Sequence, residues 1–125
     1  MFDHLSLGVR DLDAARRFYD AFFAPLGAAV SSASARELAY GPDGKAGLFY
    51  LYPVDGAQVA GLGAHLAFTA GTRAAVDEAY RSAMAHGATA IRVAGLHPDI
   101  APHYYGCVIL DPDGNKLEIV AGTMH

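Results

Sequence analysis

The sequence repeats one order of predicted elements twice, and this repeat restricts the possible folds more than any other feature. Each half has a strand that begins with a histidine, then a helix, a strand, a turn of the form Pro-Asp-Gly and a final strand. The histidines are His4 and His65, 61 residues apart, and the turn prolines are Pro42 and Pro112, 70 residues apart. We therefore expect two similar units, with the extra residues of the second accommodated by a loop at 94–103.

The strands that open the two units alternate apolar with small or polar residues, which is typical of strands with one buried face. Their apolar side chains are Leu5, Leu7 and Val9 in the first unit and Leu66 and Phe68 in the second. The opposite face carries His4, Ser6, Gly8, His65, Ala67 and Thr69. Because the apolar faces must be covered, we predict that both histidines lie on the uncovered face.

Each opening strand precedes a helical pattern with a polar residue at its N-cap. Asp11 caps the first helix, whose apolar residues recur at helical spacing until Gly27 closes the segment. Thr72 caps the second helix, which stops at Gly87.

Between the helices the pattern is less regular. Residues 28–34 and 36–40 predict either two short strands or one strand with a polar interruption, and residues 47–52 predict a further strand. Residues 54–63 contain several glycines and few charges, which is typical of a connector between units.

These elements predict one α+β domain over residues 1–125, built from two β-α-β-β-β units at approximately 1–56 and 62–125. Neither unit can cover its own sheet, so we expect a curved mixed sheet with both helices on its convex side. The concave side then forms an open cup. The apolar surface of such a cup favours a homodimer.

Composition excludes several functional classes. Hydrophobic residues form 53% of the chain but occur in short runs, far below the ~20 residues of a membrane span, so we expect a soluble protein. The chain opens on a strand pattern with no secretory signal, which predicts the cytoplasm. A net charge of −4 with scattered basic residues argues against nucleic acid or an anionic membrane as partner. The only cysteine, Cys107, is predicted to be a buried, reduced thiol.

The last hairpin contains the least expected residue. Asp111-Pro112-Asp113-Gly114 predicts a type I turn, and the strand after it places Glu118 between two apolar residues. A carboxylate is costly to desolvate unless it is paired or bound to a metal. Since its neighbours must face the helices, Glu118 is predicted to share the open face with His4 and His65.

Two imidazoles and one carboxylate suit Zn, Fe, Ni, Co or Mn, and three protein ligands leave positions open for substrate and water. The alternative is that each histidine is a hydrogen-bonded structural residue and that Glu118 is salt-bridged. For all three together on one face we favour a divalent metal site formed by His4, His65 and Glu118. His86 and His125 are predicted to be structural or incidental.

Three motifs carry a resemblance over essentially the whole chain: His4-Leu5-Ser6-Leu7 with the helix after it, His65-Leu66-Ala67-Phe68, and Asp111-Pro112-Asp113-Gly114-Asn115-Lys116-Leu117-Glu118. With these motifs the sequence resembles the vicinal oxygen chelate superfamily of glyoxalase I, extradiol dioxygenases, fosfomycin-modifying enzymes and bleomycin-binding proteins. The resemblance implies that His4, His65 and Glu118 hold the divalent metal.

The sequence departs from glyoxalase I, whose metal also takes an acid from the first unit. Transferring the Gly114-to-Glu118 spacing to Gly44 leads to Leu48, or to Phe49 with a slip of one residue, and neither binds metal. The resemblance to fosfomycin-modifying enzymes calls for several cations, but Arg36, Arg92 and Lys116 form no convincing cluster.

The resemblance to dioxygenases calls for an acid/base histidine and tyrosine near the metal. His103, Tyr104 and Tyr105 are available, and we take His103 and Tyr105 as catalytic candidates, although packing at a strand start also explains them. The loop at 94–102 is predicted to cover the cup, with His97 or His103 near its mouth.

We therefore predict a metal-dependent enzyme, a lyase, isomerase or dioxygenase, which acts on a small oxygen-bearing substrate chelated at the His-His-Glu site. The alternative is a metal-free binding protein for a small, antibiotic-type ligand in the same cup. The aromatic residues that favour it are Phe49, Tyr50, Tyr52, Tyr104 and Tyr105. The sequence leaves open whether each cup forms within one chain or by exchange of units in a dimer.

Overall fold

The structure is a computed structural model that describes residues 1–56, 60, 61 and 63–122. Part of the predicted connector and His125 lie outside the described residues. The strands are β1 (Leu5–Val9), β2 (Ala28–Ala33), β3 (Leu38–Pro42), β4 (Phe49–Pro53), β5 (Leu66–Ala70), β6 (Thr89–Leu96), β7 (Tyr105–Leu110) and β8 (Lys116–Ala121). The helices are α1 (Leu12–Phe23), which a short 3-10 turn extends over Ala24–Leu26, and α2 (Arg73–Ala85).

The element order confirms the predicted α+β fold of two β-α-β-β-β repeats, which do not close into a barrel. Each unit forms its own four-stranded mixed sheet, in the orders β1-β4-β3-β2 and β5-β8-β7-β6. In both units the opening strand runs parallel to the last, and the other pairs are antiparallel. Residues 28–34 and 36–40, for which the sequence allowed one interrupted strand or two short ones, contribute to two separate strands, β2 and β3.

Local sequence determines where the helices begin. The Asp11 side chain accepts a hydrogen bond from the backbone N–H of Ala14, and Thr72 accepts one from Ala75, which confirms both predicted N-caps. In the part of the chain that the structure describes, neither helix is long and apolar enough to cross a membrane.

The helices pack against each other and against one face of each sheet, so the two units share one core. Phe68 of β5 joins them, since its ring lies 5.6 Å from Phe22, 5.2 Å from Phe23 and 5.6 Å from Phe49 of the first unit. Phe68 is partly buried, whereas Phe22 is fully buried, and a fully buried phenylalanine contributes about 1.5–3 kcal/mol to folding. The core therefore fixes the two sheets relative to the helix pair.

The opposite sheet faces are open, as predicted. His4, Ser6, His65, Ala67 and Thr69 are all exposed there. Cys107 faces the core instead; it is a free, buried thiol, as predicted, and burial raises its pKa to about 12.

The turn before β8 is tied to the first unit through Asp111, whose side chain is almost fully buried. Asp111 Oδ1 accepts hydrogen bonds from the backbone N–H groups of Asp113 (2.9 Å) and Asn115 (2.8 Å). Its Oδ2 accepts from the Tyr19 hydroxyl of α1 (2.6 Å) and from the Asn115 amide (2.9 Å), which also donates to the Gly8 carbonyl. The buried charge is therefore compensated by donors from both units.

The predicted tight turn is present at this position. The Gly114 N–H donates to the Asp111 carbonyl (3.0 Å), and Gly114 has a φ of 92°, a left-handed conformation that glycine adopts without strain. Arg10 adds an ion pair to Asp113, with Nε 2.8 Å from Oδ1. The Asp-Pro-Asp-Gly motif therefore serves as both a turn and a contact between units.

We expect Asp111→Ala to lower the free energy of unfolding by about 3–5 kcal/mol, because it leaves buried donors of both units without an acceptor. Urea denaturation followed by circular dichroism measures the change. Asp99→Ala is the control, since it removes an acid that makes one exposed ion pair, and it should cost less than about 1 kcal/mol. Equal stabilities of the two variants would contradict this assignment.

The raised pKa values of two core tyrosines, Tyr19 and Tyr40, indicate how the stability of the fold changes at alkaline pH. Burial, followed by contact with Asp111, raises the pKa of Tyr19, and burial, followed by a hydrogen bond to Asp20, raises the pKa of Tyr40. The folded state therefore holds these protons more tightly than the unfolded chain, whose tyrosines titrate near pH ~10. Their contribution to stability is complete below pH ~10 and is lost as the pH rises above it.

Urea denaturation between pH 8 and 11.5 should accordingly show a steep loss of stability above pH ~10. Tyrosine absorbance should report ionisation of these two phenols only as the protein unfolds. Tyr40→Phe should make the loss of stability less steep. A free energy of unfolding that stays constant up to pH 11 would show that these phenols do not resist ionisation.

Candidate functional site

The parallel pairing of β5 with β8 brings His65 to Glu118. Ala67 lies opposite Glu118 in the ladder, and His65 precedes Ala67 by two residues on the same sheet face. Leu117 and Ile119 are fully buried on the helix side, so Glu118 points to the open face as predicted. His65 Nε2 lies 3.2 Å from Glu118 Oε2.

The other ring nitrogen of His65 determines the character of this contact. His65 Nδ1 lies 2.9 Å from the Gly63 carbonyl, which can only accept, so Nδ1 carries the hydrogen. In the neutral ring Nε2 is then an acceptor that faces a carboxylate oxygen, which is also an acceptor. Two acceptors at this distance repel each other unless a proton or a cation lies between them.

This geometry fits a metal ion. Two ligand atoms at about 2.1 Å from one ion and about 90–100° apart are separated by about 3.0–3.2 Å. The observed separation of 3.2 Å has this value. Histidine nitrogen with a carboxylate oxygen is also a common donor set for the ions predicted from the sequence.

His4 lies apart from this pair. Its Nδ1 is 2.6 Å from Asp3 Oδ1, and its ring meets the edge of Tyr50 at a centroid distance of 5.3 Å. Among the described residues of one chain, no three His, Cys, Asp or Glu side chains are grouped so that they could hold a metal ion. One chain therefore brings together two of the three predicted ligands, and the ligand role of His4 stays a prediction.

The pairing of β1 with β4 and of β5 with β8 also shows which residue of the first unit takes the position that Glu118 has in the second. Glu118 lies opposite Ala67, two residues after His65, and Tyr50 lies opposite Ser6, two residues after His4. The counterpart is therefore Tyr50, not Leu48 or Phe49, because the segment after the first turn is two residues longer. An acid is still absent from this position.

Tyr104 is the tyrosine next to the site. Its hydroxyl donates to Glu118 Oε1 at 2.6 Å, and its side chain is 4% exposed. Burial, then the hydrogen bond to Glu118 and the charge of that carboxylate, raises the pKa of Tyr104, so the phenol stays a donor at neutral pH.

The two catalytic candidates are placed differently. The Tyr105 hydroxyl donates to Asp77 of α2 at 2.6 Å, and the Arg73 guanidinium lies 4.9 Å from the Tyr105 ring centre, so Tyr105 faces the helix side. His103 is exposed in the loop before Tyr104. Catalytic roles for His103 and Tyr105 stay predictions.

Strand alternation in the sequence could have shown that Tyr104 and Tyr105 point to opposite faces of the sheet. Val108 lies opposite Glu118, and Tyr104 precedes Val108 by four residues, whereas Tyr105 precedes it by three. With a period of two, Tyr104 shares the face of Glu118 and Tyr105 does not.

The segment between β6 and β7 is shorter than the predicted loop, because β6 continues to Leu96. Arg92 Nη2 pairs with Asp99 Oδ2 at 2.8 Å, and His97 Nε2 lies 2.8 Å from the Val93 carbonyl. The His97 N–H donates to the Tyr104 carbonyl (3.1 Å). These contacts hold the segment that delivers Tyr104 to Glu118.

A cavity of about 380 Å³ lies next to His65, between Leu7 of β1 and the starts of β5 and β8. Apolar groups such as Leu7 and Leu66 form part of its wall, and His65, Asn115 and Lys116 supply polar groups. This volume is within the range of small-molecule sites.

Comparisons with known proteins identify the family. The model of the Glyoxalase/Bleomycin resistance protein/Dioxygenase superfamily matches residues 1–119. The chain belongs to this superfamily. No curated protein sequence matches the chain.

Solved structures of this superfamily share the fold. A glyoxalase/bleomycin resistance protein from Albidiferax ferrireducens T118 is 28% identical, with a TM-score of 0.81 over 98% of this chain and 99% of that one. A family enzyme from Burkholderia phytofirmans PsJN is 23% identical, with a TM-score of 0.72 over 96% and 97% of the two chains. The fosfomycin resistance protein FosX from Listeria monocytogenes is 21% identical, with a TM-score of 0.73 over 99% and 93%. At the identities of the last two, the likeness concerns the fold alone.

Proposed function

We propose that this superfamily member is a metal-dependent enzyme, a lyase, isomerase or dioxygenase, which binds a divalent ion through His65 and Glu118 and acts on a small oxygen-bearing substrate. The observation that carries the proposal is the 3.2 Å contact between His65 Nε2 and Glu118 Oε2. With its hydrogen on Nδ1, the neutral His65 ring presents Nε2 as an acceptor, so these two atoms repel each other unless a cation or a proton lies between them. A divalent ion bound by His65 Nε2 and Glu118 Oε2 would remove this repulsion.

A bound ion would polarise a substrate oxygen and stabilise negative charge that develops on it. The chain itself contributes the orientation of the ligands. The Gly63 carbonyl fixes the His65 ring, and the Tyr104 hydroxyl fixes one oxygen of Glu118.

The third ligand, in this proposal, is His4 of a second copy in a homodimer. His4 is exposed on the open face of the first unit, and the His65–Glu118 pair lies on the equivalent face of the second unit. A dimer that turns the first unit of one chain towards the second unit of the other would bring the three together. Exposed apolar side chains of the first unit support such an association: Phe2, Leu5, Leu48, Tyr52 and Val54.

Two single variants test whether the metal site exists and whether two chains contribute its ligands. His4→Ala and Glu118→Ala should each remove the metal from protein purified without chelator, as measured by elemental analysis, because each deletes a ligand of every site. His86→Ala is the control, since His86 caps α2 through the Ser82 carbonyl and should leave metal content unchanged. Wild-type protein that neither contains nor binds divalent ions would refute the enzyme proposal.

The two variants are then co-expressed with different tags, and the mixed dimer is isolated by two affinity steps. If each site combines His4 of one chain with Glu118 of the other, one of the two sites in the mixed dimer is intact. We expect it to bind about half of the wild-type metal. If each site forms within one chain, every site carries a lesion and the mixed dimer binds none.

A second candidate function is metal-free binding of a planar small molecule. Its support is an aromatic surface on the open face of the first unit, formed by Tyr50, Tyr52 and His4. The Tyr50 and Tyr52 rings are nearly parallel at 10°, with centroids 6.3 Å apart, and Tyr52 is 38% exposed. Stacking on such rings gives affinity without hydrogen bonds.

Thermal denaturation distinguishes the two functions. Under the metal-enzyme proposal, divalent ions raise the melting temperature of wild-type protein, and His65→Ala abolishes the increase. Under the binding alternative, ions have no effect, planar aromatic compounds raise the melting temperature, and Tyr52→Ala abolishes that increase.

A further inference from the structure

Two neighbouring tyrosines point to opposite sides of the second sheet. Tyr105 donates to Asp77 on the helix side, whereas Tyr104 donates to Glu118 on the open side. The Tyr104 hydroxyl and Glu118 Oε1 are 2.6 Å apart, and both residues are buried. Such a short bond between a neutral donor and a carboxylate is among the stronger hydrogen bonds in proteins.

Gly106 makes this arrangement possible. A Cβ at Gly106 would lie 2.7 Å from the Tyr104 hydroxyl oxygen and 2.8 Å from its Cζ atom. The same Cβ would clash with the Ile119 carbonyl oxygen. Position 106 therefore has no room for a side chain, and the Tyr104 ring occupies the space over β7 that one would fill.

The segment before β7 holds the backbone of Tyr104. The Tyr104 N–H donates to the Ala101 carbonyl (3.0 Å), and the Tyr104 carbonyl accepts from the His97 N–H (3.1 Å). The Arg92–Asp99 ion pair links the same segment to β6. Both ends of the Tyr104 side chain are thus restrained, by the backbone at one end and by Glu118 at the other.

These restraints have a chemical consequence for Glu118. Its Oε1 is occupied by the Tyr104 hydroxyl, and its Oε2 faces His65. A carboxylate that is free to rotate can bind an ion through both oxygens, whereas a hydrogen bond on one oxygen fixes the plane of the group and competes with the ion for that oxygen.

We propose that Tyr104, placed over Gly106, is a positioning residue that restricts Glu118 to binding a metal through Oε2 alone. This inference rests on the proposed function, because it concerns the same site. Tyr104 thereby keeps a coordination position open for the substrate, which a second Glu118 oxygen would otherwise fill.

The test uses Co²⁺ as a probe of coordination, because its visible absorption weakens as its coordination number rises. Tyr104→Phe removes one oxygen and leaves the ring. We expect its Co²⁺ complex to absorb less than that of wild type, because Glu118 becomes free to bind through both oxygens. We also expect Co²⁺ affinity, measured by calorimetry, to fall by about 10–100-fold, because loss of a residue that orients a ligand typically weakens binding by this factor.

Tyr19→Phe is the matched control. It also removes a buried phenol that donates to a carboxylate at 2.6 Å, here Asp111, but outside the site. Its Co²⁺ spectrum and affinity should equal those of wild type even if its stability falls. A Tyr104→Phe protein that binds Co²⁺ with the spectrum and affinity of wild type would overturn the role of Tyr104 and leave the metal site intact.

A crystal structure of the wild-type protein with Co²⁺ gives a second readout that does not depend on the folding of a variant. We expect Glu118 Oε2 on the ion and Oε1 on the Tyr104 hydroxyl. Two Glu118 oxygens on the ion would overturn the inference while supporting the proposed function. Wild-type protein that does not bind Co²⁺ at Glu118 would overturn both.

Discussion

The buried carboxylate of Asp111 is the contact on which much of this structure depends. An ionised acid inside a protein is tolerated only when hydrogen bonds compensate its desolvation. Here the compensation comes from both units, because Tyr19 belongs to α1 and Asn115 to the turn before β8. Since the turn leads directly into β8, the same bonds hold the start of that strand against the first unit.

Glu118 is a second buried acid, but its surroundings differ. Asp111 accepts from donors on both of its oxygens, whereas Glu118 has one such donor, Tyr104, and its other oxygen faces His65 Nε2, which donates only when the ring is protonated. A group arranged only for stability would have a donor at that oxygen too. When the His65 ring is neutral, this oxygen of Glu118 lacks a donor, and that observation supports the proposed metal site.

The two units share a topology but present different chemistry on their open faces. At the position of Glu118 the first unit has Tyr50, and His4 beside it contacts the Tyr50 ring and the exposed Asp3 carboxylate rather than a buried acid of the sheet. The repeat therefore supplies one face suited to a cation and one suited to a flat, apolar group. A site that combines both faces could hold an ion and a substrate at the same time.

Much of the architecture follows from short-range patterns in the sequence. Alternation placed Leu7 and Phe68 towards the helices, Asp11 and Thr72 marked the helix starts, and Asp-Pro-Asp-Gly marked the last turn. These features depend on neighbouring residues, whose geometry the backbone sets. The same alternation correctly turned Glu118 and His65 to one face, and it contained the information that separates Tyr104 from Tyr105.

Tertiary structure decided what depends on residues far apart in the chain. Counting from the turn misplaced the counterpart of Glu118 by one to two residues, because the length of a loop does not determine strand register, whereas hydrogen bonding to β1 does. The separation of His4 from His65 within one chain depends on how the two units pack around Phe68. The sequence by itself thus determined which side chains share a face within each unit, and only the packing of the units decided which of them meet.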